Sequence, residues 1–105
     1  MTLLETLRAQ LQSELAVMEW ESLRPHAQRD GLIVVEPSLD LVEAGAAIAA
    51  DQAETVQAWI SAGLIHKPSS AELGQWNQEG AQGFQTLIVQ PYVLIQVADP
   101  VSNMG

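Results

Sequence analysis

Leu4, Leu7, Leu11, Leu15 and Met18 recur at steps of three and four along the start of the chain. That spacing is the apolar stripe of an amphipathic helix of about four turns, and Leu3 widens its start. Thr2 and Glu5 have the spacing of a capping box, which sets the helix start at Thr2. The stripe reads as a core-facing surface, being too short for an independent coiled coil. Trp20, Leu23 and Ala27 predict a second short helical piece, with Pro25 in its first turn, where a missing N–H is harmless. Gly31 stops that piece. Leu32-Ile33-Val34-Val35 follows as a brief β-branched run, the pattern of a buried strand.

Pro37 ends the strand and Ser38 is positioned to cap a helix over Leu39 to Ala50. Within it Gly45 lies among alanines, a density of small residues that points to close packing rather than to a ligand. Asp51 and Glu54 repeat the capping-box spacing and open a helix carrying Val56, Trp59 and Ile60, with Gly63 as its C-cap. Leu64-Ile65-His66 reads as a short extended link closed by Pro68. Ser69 with Glu72 opens a further helix with Leu73 and Trp76 on one face, and Gly80 and Gly83 break it. Thr86 to Val97 is the strongest strand signal. Pro91 interrupts it and must lie at an edge, an end or a bulge, so the run can bend and contribute twice to a sheet.

The pattern predicts an α+β fold. It is a mostly helical single domain over residues 1–98, with four or five helices, a small sheet of two or three strands (about 32–36 and 86–97) and a flexible tail over 99–105. Two strands alone make a marginal sheet, and pairing across a homodimer interface is one way to complete it.

Composition narrows the function. With 105 residues the chain is one domain with a small core. The absence of cysteine excludes disulfides, thiolate chemistry and a cysteine-ligated zinc. Thirteen acidic and four basic side chains give a net charge of -9, so no surplus positive charge exists to meet a nucleic-acid backbone. No apolar run approaches the roughly 18–20 residues of a membrane span, and no signal-peptide pattern opens the chain. The expectation is a soluble cytoplasmic protein.

His26, Arg29 and Asp30 are the most suggestive polar group. At spacings of three and four they share a helical face if the helix reaches Asp30, with His26 as a base oriented by Asp30 and Arg29 receiving an anion. The plain alternative is a helix-end histidine beside an ion pair. Glu36, Asp40 and Glu43 cluster at a strand-to-helix junction and offer oxygens to a ligand. An acid near a helix N-terminus is favourable without any metal, however, and the spacing matches no metal motif, so neither metal nor cofactor is expected. Gln90 beside Pro91 satisfies broken strand hydrogen bonds or lines a pocket. His66 and Lys67 are the one positive feature of the acidic part; a ligand role is weighed there against an ordinary exposed link. Trp20, Trp59 and Trp76 join apolar helix patterns, and Trp is also favoured at contact centres. The glycines form neither a dinucleotide nor a Walker pattern, and no G-x-S-x-G elbow is present.

The segment Val56-Gln-Ala-Trp59-Ile60-Ser-Ala-Gly63-Leu64 resembles the end of the helix–turn–helix in excisionase-like DNA-binding domains. Its outward face offers Gln52, Glu54, Thr55 and Gln57, with no cation to hold phosphate. A wider resemblance runs through Trp20-Glu-Ser-Leu23-Arg-Pro25-His26-Ala-Gln-Arg29-Asp30, Leu32-Ile-Val-Val, Ser38-Leu39-Asp40-Leu41-Val-Glu, Ala47-Ile48-Ala49-Ala-Asp51, Val56-Gln-Ala-Trp59-Ile60 and Leu87-Ile-Val-Gln-Pro91-Tyr-Val-Leu-Ile-Gln96. In that order the pieces are similar to a family of small uncharacterised bacterial proteins, frequent in cyanobacteria and some proteobacteria, known as a domain of unknown function. The resemblance implies a bacterial cytoplasmic source and a single compact domain, and it brings no activity or catalytic residue. The functional expectation is a small acidic non-enzymatic structural or interaction protein, homo-oligomeric or bound to another protein. Its contact residues are expected to be Trp59, Trp76, Pro91 and Tyr92. Two alternatives stand beside it: a ligand binder or enzyme using His26, Arg29 and Asp30, and a divergent DNA-binding module.

Overall fold

The capping boxes read at Thr2 and Ser69 both form. Thr2 Oγ1 accepts the Glu5 N–H at 3.1 Å and Glu5 Oε1 accepts the Thr2 N–H at 2.8 Å. Ser69 and Glu72 exchange the same pair of bonds at 3.1 and 2.9 Å. These are the ends of the first and last of five helices in a computed structural model that describes residues 2–78, 80 and 82–97. The helices are α1 (Leu3–Glu14), α2 (Trp20–Gln28), α3 (Leu41–Ala49), α4 (Ala53–Ser61) and α5 (Ser70–Gln78). The strands are β1 (Ala16–Glu19), β2 (Leu32–Val35), β3 (Ile65–His66), β4 (Gly83–Val89) and β5 (Tyr92–Val97). The tail expected over 99–105 lies outside the described residues.

The α+β class and the helices match the sequence reading; the sheet is larger than the two or three strands expected. Its five strands run in the order β1-β4-β5-β2-β3. Pro91 splits the long C-terminal run into the β4–β5 hairpin, with Val89 paired to Tyr92 across the cis Gln90–Pro91 turn. β2 joins β5 in parallel, Leu32 opposite Val93, and every other neighbouring pair is antiparallel. The two unforeseen strands are the end ones. The first helix stops at Glu14 rather than reaching Met18, because Leu15 turns extended (φ -60°, ψ 136°) and Met18 enters β1 opposite Phe84. The Leu15-to-Met18 step fits a helix, but in a strand it still turns Met18 toward the Trp20 cluster. The link read at Leu64–His66 supplies β3, too short for a pattern of its own.

Alternation along the strands divides the core in two. Val35, Leu87, Val89 and Leu94 face α1 and α3 with Leu11, Leu41 and Ile65. Leu32, Val34, Phe84, Val93 and Ile95 face α2 and α5, where Trp20, Trp76 and Phe84 stack at centroid distances of 5.0–6.0 Å. The apolar runs of β2 and β5 follow from this burial on both faces. Gly45 does what close packing asks. A Cβ there would stand 2.6 Å from Leu87 Cδ2, so α3 lies on β4 at a distance that only glycine permits.

Helix ends account for the remaining corrections. Asp40, not Ser38, caps α3, its carboxylate accepting the Glu43 N–H at 2.9 Å. Pro25 is the sixth residue of α2 rather than in its first turn. It deprives the Glu21 carbonyl of a helical donor, at an exposed position where water can serve instead. Three helices end in the same way, with a left-handed residue after the last turn: Asp30 (φ 60°), Asp51 (φ 57°) and Gly63 (φ 77°). In each, the next N–H reaches back to the carbonyl five residues before it: Gly31 to His26, Gln52 to Ala47 and Leu64 to Trp59, all at 2.9 Å. Asp51 therefore closes α3 and does not open α4. The expected Asp51–Glu54 box is absent, and α4 starts from Gln52 with no side-chain cap. Among the described residues no helix is long and apolar enough to cross a membrane.

Candidate functional site

Helix α4 carries Val56, Trp59 and Ile60 at helical spacing, yet it buries none of its residues. Its neighbours explain why. The sharp turn at Asp51 and the two-residue β3 fix both ends of α4, and its apolar side lies over the edge of the sheet instead of its centre. Between α4 and the sheet an open groove of about 510 Å³ remains. Ile33 and Ile65 come from β2 and β3, Ile48 from the end of α3, and Val56 and Ile60 from α4. Ile60 is 49% exposed at its lip.

One end of the groove is polar, with Tyr92, His66 and Lys67. Tyr92 is 40% exposed. The Lys67 ammonium donates to Asp30 Oδ2 at 2.6 Å, tying the link after β3 to the turn after α2. That contact holds the Lys67 pKa above its ordinary value. His66 has an acceptor at each ring nitrogen, the Lys67 carbonyl 2.9 Å from Nδ1 and Glu36 Oε2 2.8 Å from Nε2. Glu72 Oε1 lies 3.9 Å from Nδ1. The Lys67 carbonyl and then the Glu36 hydrogen bond raise the His66 pKa against the opposing effect of partial burial.

The polar groups singled out in the sequence do not converge. Helix α2 ends at Gln28, so Asp30 sits in a left-handed turn, turned off the helix face and bonded to Lys67; no side-chain hydrogen bond joins it to His26 or Arg29. Glu36, Asp40 and Glu43 also part company. Glu36 bonds His66, Asp40 caps α3, and Glu43 takes a two-pronged contact from Arg8, with Nη2 at 3.0 Å and Nε at 2.5 Å. Among the described residues no three His, Asp or Glu side chains are placed to hold a metal ion. Gln90 is exposed in the hairpin turn beside Pro91. Gln96 is the polar side chain that binds broken backbone groups, donating to the carbonyls of Glu36 and Leu39 at 2.9 and 2.8 Å. Trp76, expected on a contact surface, is 4% exposed inside the Trp20–Phe84 stack. Trp59 is half-buried on α4 and Pro91 exposed in the turn. The helix pair α3–α4 exists, but no Lys or Arg occurs from Leu41 to Ser61. The groove itself gives no local signal, since its walls come from segments far apart in the chain; of its residues His66 and Lys67 stood out beforehand by charge and Tyr92 as an expected contact residue.

A family model described as a protein of unknown function, DUF2288, matches residues 6–97. No curated protein matches the chain. The NMR solution structure of PA1075 from Pseudomonas aeruginosa is similar over 95% of this chain and 92% of that one, with 33% sequence identity and a TM-score of 0.77.

Proposed function

We propose that this chain, which belongs to the DUF2288 family of proteins of unknown function, is a small acidic, non-enzymatic cytoplasmic protein that works by binding, and that its binding surface is the groove under α4. The observation that carries the proposal is an apolar helix left unsealed against its sheet. Val56, Ile60, Ile33, Ile48 and Ile65 leave about 510 Å³ open between them. That is the size and composition of a ligand pocket, apolar walls with a few polar groups at one end. A binding role is favoured over catalysis through His26, because Asp30, expected to orient it, is bonded to Lys67 instead. Tyr92, one of the contact residues expected from the sequence, belongs to this surface; Trp59 and Pro91 lie on the same elements.

The test is titration with a neutral environment-sensitive dye such as N-phenyl-1-naphthylamine. A saturable blue-shifted signal that Ile60→Asp abolishes, with the circular dichroism spectrum unchanged, supports the groove. Equal dye binding by Ile60→Asp and the unchanged chain rejects it.

A second reading, homo-oligomerisation, rests on a separate surface. β1 ends the sheet, with Val17 69% exposed beside a strand edge that is unpaired among the described residues, and such an edge is a template for another strand. Light scattering over a range of concentrations decides it. A dimer mass that Val17→Lys converts to a monomer supports pairing through β1, and a monomer at every concentration removes it.

A further inference from the structure

The charges at the polar end of the groove are already answered within the chain. The Lys67 ammonium donates to Asp30 Oδ2 at 2.6 Å. His66 stands between the carboxylates of Glu36 and Glu72, at 2.8 and 3.9 Å. Among the described residues no Asp or Glu lines the groove. The Tyr92 hydroxyl differs from its neighbours, since it enters no hydrogen bond among the described residues. We propose that the groove takes an uncharged, mainly apolar small molecule, its hydrocarbon part lying on Ile33, Ile48, Val56, Ile60 and Ile65 and a single neutral oxygen on the Tyr92 hydroxyl. The proposal rests on the groove being the binding surface and adds the chemistry of its occupant.

The balance of charge turns away an ionised head group of either sign. An anion reaching Lys67 would have to displace Asp30, exchanging one carboxylate for another with no net gain. A cation would meet the Lys67 ammonium, while Asp30 and Glu36 are taken up by Lys67 and His66. Left unpaired against the aliphatic walls, a charge is costly to bury. Asp51, unpaired among the described residues, belongs to a smaller hollow beyond Ile48 and Val56 and is exposed, where water already solvates it. A neutral oxygen needs one hydrogen bond, and a tyrosine hydroxyl can give or accept it. Size separates a small molecule from a protein segment. A helix 10–12 Å across fills roughly 400–600 Å³ for each turn, so a groove of about 510 Å³ has room for a single turn. The same volume lies inside the roughly 300–1,000 Å³ of small-molecule sites.

Competition against the neutral dye tests the assignment on the full chain, with decanol, decanoate and decyltrimethylammonium each below its solubility or micelle limit. Decanol is expected to displace the dye at roughly five-fold lower concentration than either ion, the ions having no free partner in the groove. Shortening the alcohol to octanol should weaken it about four-fold for each methylene lost, the weight of a buried CH₂. Tyr92→Phe should weaken decanol about two- to ten-fold, as the loss of one neutral hydrogen bond does. Either ion displacing the dye at the same concentration as decanol or a lower one overturns the neutral assignment. Decanol binding to Tyr92→Phe as tightly as to the unchanged chain overturns the oxygen contact. In both cases the groove stands, provided Ile60→Asp still abolishes dye binding. Decanol that leaves the dye in place overturns the proposal as well, and so does a dye signal lost on raising the protein concentration alone, which would make a second copy the occupant. If Ile60→Asp leaves the dye bound, the groove itself has failed as the binding surface. Ile48→Trp, which fills the groove from α3, is the second blocking variant should Ile60→Asp fail to fold.

Discussion

His66 Nε2 lies 2.8 Å from Glu36 Oε2, and through it the end of β2 is joined to β3. With the Lys67 carbonyl at Nδ1, both ring nitrogens face acceptors, and only the imidazolium can donate to both. The folded-state pKa is therefore raised above the unfolded value of 6.5. Stability from this contact is fully present below pH 6.5 and is lost as pH rises through the folded pKa. Urea unfolding should give a higher stability at pH 6 than at pH 8.5, by no more than about 1 kcal/mol at this partly exposed site. His66→Gln should flatten that part of the difference. An unchanged slope in the variant would remove His66 as its source.

Gly45→Ala sets two effects against each other. Alanine improves helix propensity by about 1 kcal/mol. Its Cβ, however, would press on the terminal Cδ2 methyl of Leu87, a fully buried side chain that must shift to make room, and overpacking costs about 1–3 kcal/mol. The net expectation is destabilisation by about 1 kcal/mol, read as a lower urea midpoint at constant slope.

Asp51→Gly is expected to go the other way. Asp51 holds a left-handed conformation that suits glycine, and no side-chain hydrogen bond of Asp51 would be lost among those described. Relief of that conformation, less the greater chain entropy of glycine when unfolded, leaves a gain of about 0.5–1 kcal/mol. Thermal unfolding would read it as a higher Tm.

Substitutions of Trp76 and Trp59 separate core from surface. Trp76→Ala removes a ring from the stack with Trp20 and Phe84 and should cost about 3–5 kcal/mol. Trp59→Ala, on a helix with no buried residue, should cost markedly less. Similar losses in chemical denaturation would mean that α4 is sealed to the sheet, against the open groove.

Gln96→Leu should cost about 1–3 kcal/mol, because one side-chain amide satisfies the carbonyls of both Glu36 and Leu39. Hydrogen exchange is expected to quicken in the loop from Glu36 to Asp40 before it changes elsewhere.

What could be read beforehand was local. The boxes at Thr2 and Ser69 and the cap at Gly63 depend on residues three to five apart, and all three formed. The small residues of α3 pointed to a close approach, and Gly45 against Leu87 is that approach. Where a residue could serve either of two elements, the nearer pattern misled. Asp51 has the spacing of an N-cap but closes the helix before it, and Met18 continues a helical stripe but lies in a strand. Asp30 failed as a partner for His26 for the same reason, since a helix ending at Gln28 cannot bring it onto a common face. The groove was hidden because Ile33, Ile48, Ile60 and Tyr92 meet only after the sheet has formed. Its advance signs were Lys67, standing alone in an acidic stretch, and Tyr92, expected at a contact surface beside Pro91.

The parallel pairing of β2 with β5 also sets an order of events in folding. β4 and β5 are joined by a two-residue turn and can find each other within microseconds. Leu32 and Val93 meet only by closing a loop that contains α3, α4, α5 and the two strands β3 and β4. Closing so long a loop before its contacts form is the entropic step that slows such topologies. The hairpin thus serves as the template on which β2 arrives late. Substitutions in β4 and β5 should slow refolding, whereas substitutions on α4, which settles after the sheet is complete, should act chiefly on the rate of unfolding.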